Sequence, residues 1–175
     1  MEKFTTADRN IWKGAAAGLI AGFVASWTMN QVYGIWSKFQ QDQEQPEQSS
    51  KKGENTDPAT LVMAQKISRQ LFHREIPEDK IRLAEGLVHY GFGTMMGGLY
   101  GALSEKYPQV RTGFGSAFAA GLFVAADEVS VPAAGLSGKP QEVPFSSHVL
   151  GFASHMAYGW TTEAVLRGTR NLLAA

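Results

Sequence analysis

Small residues recurring every fourth position, inside runs that carry no charge, constrain this chain more than any other feature. Gly14, Gly18, Gly22, Ser26, Asn30 and Gly34 keep that period within Gly14–Trp36, a stretch of 23 residues without a charge. At about 1.5 Å per helical residue, such a stretch crosses a hydrocarbon core of roughly 30 Å. A second run, Gly86 to Ser104, repeats the pattern with Glu85, His89, Gly93, Gly97 and Gly101. The third, GFGSAFAAGLFVAADEVSVP at 113–132, has Gly113, Ala117, Gly121 and Ala125 on one face. In the fourth, Val143 to Thr162, Gly151 and Gly159 share a face with His148, His155 and Thr162. A glycine inside a soluble helix costs about 1 kcal/mol against alanine. Membrane helices use small residues to bring backbones together. The pattern predicts one all-α domain, a four-helix transmembrane bundle with Gly/Ala-rich packing faces. Its segments fall at about 11–37, 83–104, 112–132 and 143–171. Gly18 and Gly97 are expected to tolerate alanine and reject leucine. A soluble four-helix bundle is the competing reading, because the runs are rich in alanine and glycine rather than leucine.

Between the first two runs lies KFQQDQEQPEQSSKKGENTD at 38–57, too polar to fold alone and expected to be a flexible loop. Asp57-Pro58 then has the form of an N-cap followed by proline at the first helical position. Val62, Met63, Ile67 and Leu71 oppose Lys66, Arg69 and Gln70, which predicts a short amphipathic helix over 58–73. It either packs on the bundle or lies on the bilayer surface. The turn EKYPQVR at 105–111 is short enough to make the second and third segments antiparallel neighbours.

The chemistry lies in what interrupts the apolar runs. Asp127 and Glu128 sit side by side in the third, and an ionisable group at membrane depth is by default a functional-site candidate. On an α-helix the two acids point about 100° apart, so they need different partners. His89, Asp127, Glu128, His148, His155 and Glu163 form the candidate polar centre. His89, Glu128 and His155 are expected to face one another, with Asp127 and His148 as substitutes. The same trio supplies the candidate metal ligands, since a metalloenzyme needs three ligands near one point. The boundary reading, in which the acids mark the edge of the membrane, stands beside this one. Glu163, Arg167 and Arg170 are expected to close the last helix in water.

Composition narrows the function classes. The chain has 16 basic and 16 acidic residues, without the basic excess of a nucleic-acid binder. With no cysteine it has no disulfide and no thiolate chemistry. There is no HExxH spacing, serine-nucleophile motif or phosphate loop. No motif names a cofactor. The opening MEKFTTADRNIWK lacks the pattern of a cleaved signal sequence. Lys3, Arg9, Lys13, Lys106, Arg111, Arg167 and Arg170 would gather on one side and place both termini in the cytoplasm.

Three segments carry a resemblance: HYGFGTMMGGLYG at 89–101, ADEVSVPAAGL at 126–136 and SHMAYGWTTEAVLRGTR at 154–170. Together they resemble the YagU-like family of small bacterial inner-membrane proteins. The resemblance implies a multi-pass inner-membrane protein of four helices, with no established enzyme activity and a loose link to acid resistance. It carries over no catalytic residue. The expected function is a non-enzymatic membrane protein with a buried His/Asp/Glu centre, responsive to protons or cations. Its partners are the lipid bilayer and either a homo-oligomer or a larger membrane complex, with no nucleic acid. The alternatives are an accessory subunit of such a complex and a membrane-embedded metalloenzyme.

Overall fold

Asn10 starts the first helix by accepting, through Oδ1, the backbone N–H groups of Trp12 and Lys13 at 3.0 and 3.2 Å. This is the side-chain capping that asparagine supplies at helix N-termini. Helix α1 then runs Ile11–Gln43 in a computed structural model that describes residues 10–43 and 58–174. It extends past the expected end near 37. Lys38 and the glutamines are good helix formers, and no glycine or proline intervenes. The rest of the expected loop and the Asp57 cap lie outside the described residues. Helix α2 spans Ala59–Phe72 and α3 spans Ile81–Lys106. Tyr107 ends α3 because Pro108 disfavours helical backbone in the residue before it. Helix α4, Ser116–Phe123, passes into a π-helical stretch, Val124–Ser130, and then α5, Val131–Ala133. Helix α6 spans Phe145–Ala174. Every regular element among the described residues is helical, with no strand.

Helix α1 packs against both α3 and α6, and α6 also carries α4. The α1–α3 contact is antiparallel and glycine on glycine: Gly14 meets Gly101, Gly18 meets Gly97, and Gly22 meets Gly93 and Gly97. A Cβ built on Gly18 would overlap the Gly97 carbonyl oxygen, and one on Gly97 would overlap Gly22 Cα. Both obstacles are backbone, which cannot swing aside. The expected tolerance of alanine at Gly18 and Gly97 is therefore overturned, because the helices are closer than a packing face of alanines allows. The expectation for Gly113 and Gly121 also changes. Gly113 sits in the turn before α4 at φ +64°, and a Cβ on Gly121 would meet nothing within 4 Å. Their place at the interface is taken by Gly115, whose carbonyl lies against Gly159.

Many large apolar side chains lie on the outside of the bundle. Leu19, Ile20, Phe23 and Trp27 of α1, Leu83, Leu87 and Met95 of α3, and Phe152 and Trp160 of α6 are exposed. Buried instead are Ala17, Ala21, Ala25, Ser26, Ser104, Ser154, Thr162 and Glu163. Tyr100, Tyr158 and Leu166 are the largest apolar groups fully enclosed. Among the described residues one helical stretch, Ser116–Ala133, is long and apolar enough to cross a membrane, and only 6% of it is buried within the protein. A soluble protein's core helix would be mostly buried. The other long helices fall short because glycine, serine and polar residues lower their hydropathy.

Helix α2 packs on α3, burying Leu61 and Ala64, with Thr60 donating to Glu85. Lys66 Nζ donates to the carbonyls of Ala134 and Gly135 at 2.7 and 3.0 Å, closing the chain end of α5. Those bonds join α2 to the bundle.

Candidate functional site

The π-helical stretch aims the adjacent acids at two different histidines of α6. A π-helix closes i→i+5 bonds and so turns more widely than an α-helix. Ser130 reinforces it by donating from Oγ to the Ala125 carbonyl at 2.6 Å. Glu128 Oε1 lies 2.7 Å from His148 Nδ1, and each side chain is 25% exposed. The other ring nitrogen, Nε2, lies 3.0 Å from the Pro140 carbonyl oxygen. A carboxylate and a carbonyl both only accept, so the ring satisfies the two together as imidazolium. Asp127 Oδ2 lies 3.7 Å from His155 Nδ1, which donates to the Gly151 carbonyl at 2.9 Å. The His155 ring is buried against the edge of Phe123, with ring centroids 5.6 Å apart, while Asp127 is 39% exposed. Gly151 sits beside both pairs: a Cβ there would lie 3.0 Å from Phe123 and 3.5 Å from Asp127 Oδ2.

His89 does not join them. Its Nε2 donates to the Ser26 carbonyl of α1 at 3.2 Å, tying α3 to α1 just past the glycine contacts. The expected meeting of His89, Glu128 and His155 therefore does not occur. Periodicity gave each residue its face but neither its depth nor its rotation, and the π-helical stretch alters the rotation. Among the described residues no group of three His, Asp or Glu is placed to hold a metal ion.

Glu163 is also elsewhere. It lies 15 residues beyond His148 on the same helix, about 22 Å along the axis. It is fully buried. Tyr100 donates to Oε2 at 2.7 Å, Arg167 Nε to Oε1 at 2.6 Å, and Arg111 approaches Oε1 to 2.8 Å. Beside it Glu105, also buried, pairs with Arg170 at 2.7 Å. The expectation that Glu163 belongs to one polar centre, or to a watery helix end, gives way to a second, closed cluster. Its i,i+4 link to Arg167 is readable from sequence spacing. Tyr100, Arg111 and Glu105 come from distant segments and leave no local signal. The turn that delivers Arg111 contains Gly113, Phe114 and Gly115 in succession at positive φ. Phe114 is the strained member, at φ 57°, and its ring lies under the Arg167 guanidinium at 4.8 Å. Cation–π attraction of that kind offsets part of the strain.

No curated protein and no solved structure matches the chain. A family model described as "Protein of unknown function (DUF1440)" matches residues 32–164, which takes in α2, α3, α4, the π-helical stretch and both histidine–carboxylate pairs. The match covers well over half the chain, and the protein belongs to that family.

Proposed function

We propose that this protein is a multi-pass inner-membrane bundle of the YagU-like kind, without enzymatic activity, whose His148–Glu128 and His155–Asp127 pairs take up and release protons in response to acid. The apolar surface supports the membrane reading. Large apolar side chains face out, and glycine, alanine, serine and paired charges face in, as expected where lipid is the solvent. The observation that carries the functional reading is His148 held between Glu128 and the Pro140 carbonyl at 2.7 and 3.0 Å while still a quarter exposed. Histidine is the side chain whose charge ordinarily changes between pH 5 and 8. Here its charge decides whether the ring can hold Glu128 and the Pro140 carbonyl at once. Three-ligand metal chemistry finds less support, because His89, Glu128 and His155 each have a different partner.

The test is the melting temperature of the detergent-extracted protein between pH 5 and 8. The wild type is expected to change across that range, and the His148→Gln, His155→Gln double variant to stay flat. His89→Gln serves as control, and should retain the wild-type dependence. An unchanged profile in the double variant would remove the proton role. Release of the protein by alkaline carbonate would remove the membrane reading itself.

A further inference from the structure

Two glycines of α3 are not explained by helix packing. Cβ atoms on Gly86 and Gly91 would meet nothing within 4 Å, unlike those on Gly93, Gly97 and Gly101. They lie in an open groove of about 520 Å³ whose lining includes Arg82, Leu87, Tyr90 and Phe23 of α1. The α3 residues fall on one face, from Arg82 in the first turn to Thr94 three turns later. That is about 18 Å along the axis. Half of a hydrocarbon core is roughly 15 Å. The far wall is fixed: Tyr90 stacks against Phe23 at 5.1 Å between centroids, and Asn30 donates to its hydroxyl at 3.3 Å. At the open end Arg82 is exposed and makes no ion pair or hydrogen bond among the described residues. Lys80 precedes it in the short turn leading into α3.

An apolar groove about one leaflet long, floored by glycine and headed by an exposed guanidinium, has the charge and length of a phospholipid. We propose that this groove binds an anionic phospholipid, with its phosphate on Arg82 and one acyl chain lying over Gly86 and Gly91 against Phe23 and Tyr90. Arginine's planar fork suits a phosphate oxygen pair. The groove is long enough for a chain, and its lining is apolar apart from Arg82 and Thr94. The inference rests on the membrane reading above but not on the histidine pairs.

Native mass spectrometry of the detergent-extracted protein, titrated with phosphatidylglycerol and phosphatidylethanolamine, tests it. The wild type is expected to retain phosphatidylglycerol preferentially. Arg82→Gln should weaken that retention about five-fold, the effect of one basic residue at an anionic surface, and weaken phosphatidylethanolamine less, because its ammonium already offsets its phosphate. Gly86→Leu and Gly91→Leu, made separately, fill the channel and should reduce retention of both lipids. Their lipid-free melting temperatures are not expected to fall below wild type, because a Cβ at either position meets nothing within 4 Å and leucine favours the helix over glycine. Equal retention by wild type, Arg82→Gln and Gly91→Leu would overturn the proposal. So would a protein dimer that Gly91→Leu dissociates, since a second copy would then be the occupant. A lipid-insensitive protein that still resists carbonate extraction and still responds to pH would defeat this inference alone.

Discussion

The two buried-charge sites lie at opposite ends of α6 and are built in opposite ways. Glu163 is sealed from solvent and receives donors from α3, the turn after it, and α6 itself. Glu128 is a quarter exposed and is held by one histidine. Two guanidiniums, which stay charged at any working pH, surround the first acid. The second faces a group whose charge is set by the surroundings. The same acidic residue thus acts as a fixed joint in one place and as a conditional one in the other. Neighbouring packing follows the division. Tyr100, at the sealed site, belongs to the core with Ala17, Ala21 and Leu166. The conditional site sits on a π-helical turn with Val124 and Val129 exposed and Asp127 half-buried.

The contrast is broken most severely by Glu163→Ala. Removing the carboxylate from its two arginines should cost about 3–5 kcal/mol, as for one partner of a buried ion pair. The loss should show as a large fall in melting temperature in detergent. A fall of only a few degrees would mean that water already screens this end. Gly97→Ala comes next. One added methyl against the backbone of Gly18 and Gly22 should cost about 1–3 kcal/mol, as overpacking does. Wild-type stability in that variant would show that the α1 and α3 backbones do not touch at Gly97. Glu128→Gln should lower stability by no more than about 1 kcal/mol near neutral pH, because its partly exposed pair is worth little. A loss as large as that of Glu163→Ala would erase the distinction between the two sites. The smallest change is Gly121→Ala, expected to raise stability by roughly 0.5 kcal/mol, since the new methyl meets open space and alanine favours the helix. Destabilisation there would reveal an unseen neighbour against α4.

What could be read from the residue order was local. The stripes at Gly14, Gly18 and Gly22 and at Gly93, Gly97 and Gly101 depend only on four-residue spacing, and these stripes do meet. The need of Asp127 and Glu128 for separate partners also followed from helix geometry. The distance between facing helices did not, so alanine was expected where only glycine fits. Nor did the extra width at Val124–Ser130, which depends on Ser130 reaching the Ala125 carbonyl and on α6 lying alongside. Once that turn was missed, the partner of each acid could not be assigned. Gly115 escaped notice for a related reason. It stands out of step with the four-residue stripe, and its role appears only when the chain reverses at positive φ and sets its carbonyl on Gly159.

The π-helical turn also changes what chain length means at this point. A π-helical turn holds more residues than the same rotation of an α-helix needs. Loss of one residue from Val124–Ser130 would let the stretch relax into α-helix without opening a gap in its bonding. The residues on one side would then rotate by about 100° relative to those on the other. Val131–Ala133 is anchored through the carbonyls that Lys66 caps, so much of that rotation would fall on the acids. Substitution can only delete a carboxylate or change its reach. A one-residue deletion would keep both acids and change which histidine of α6 each of them meets. In family members that differ here by a single residue, the histidines of α6 would meet a different acid on an otherwise similar helix.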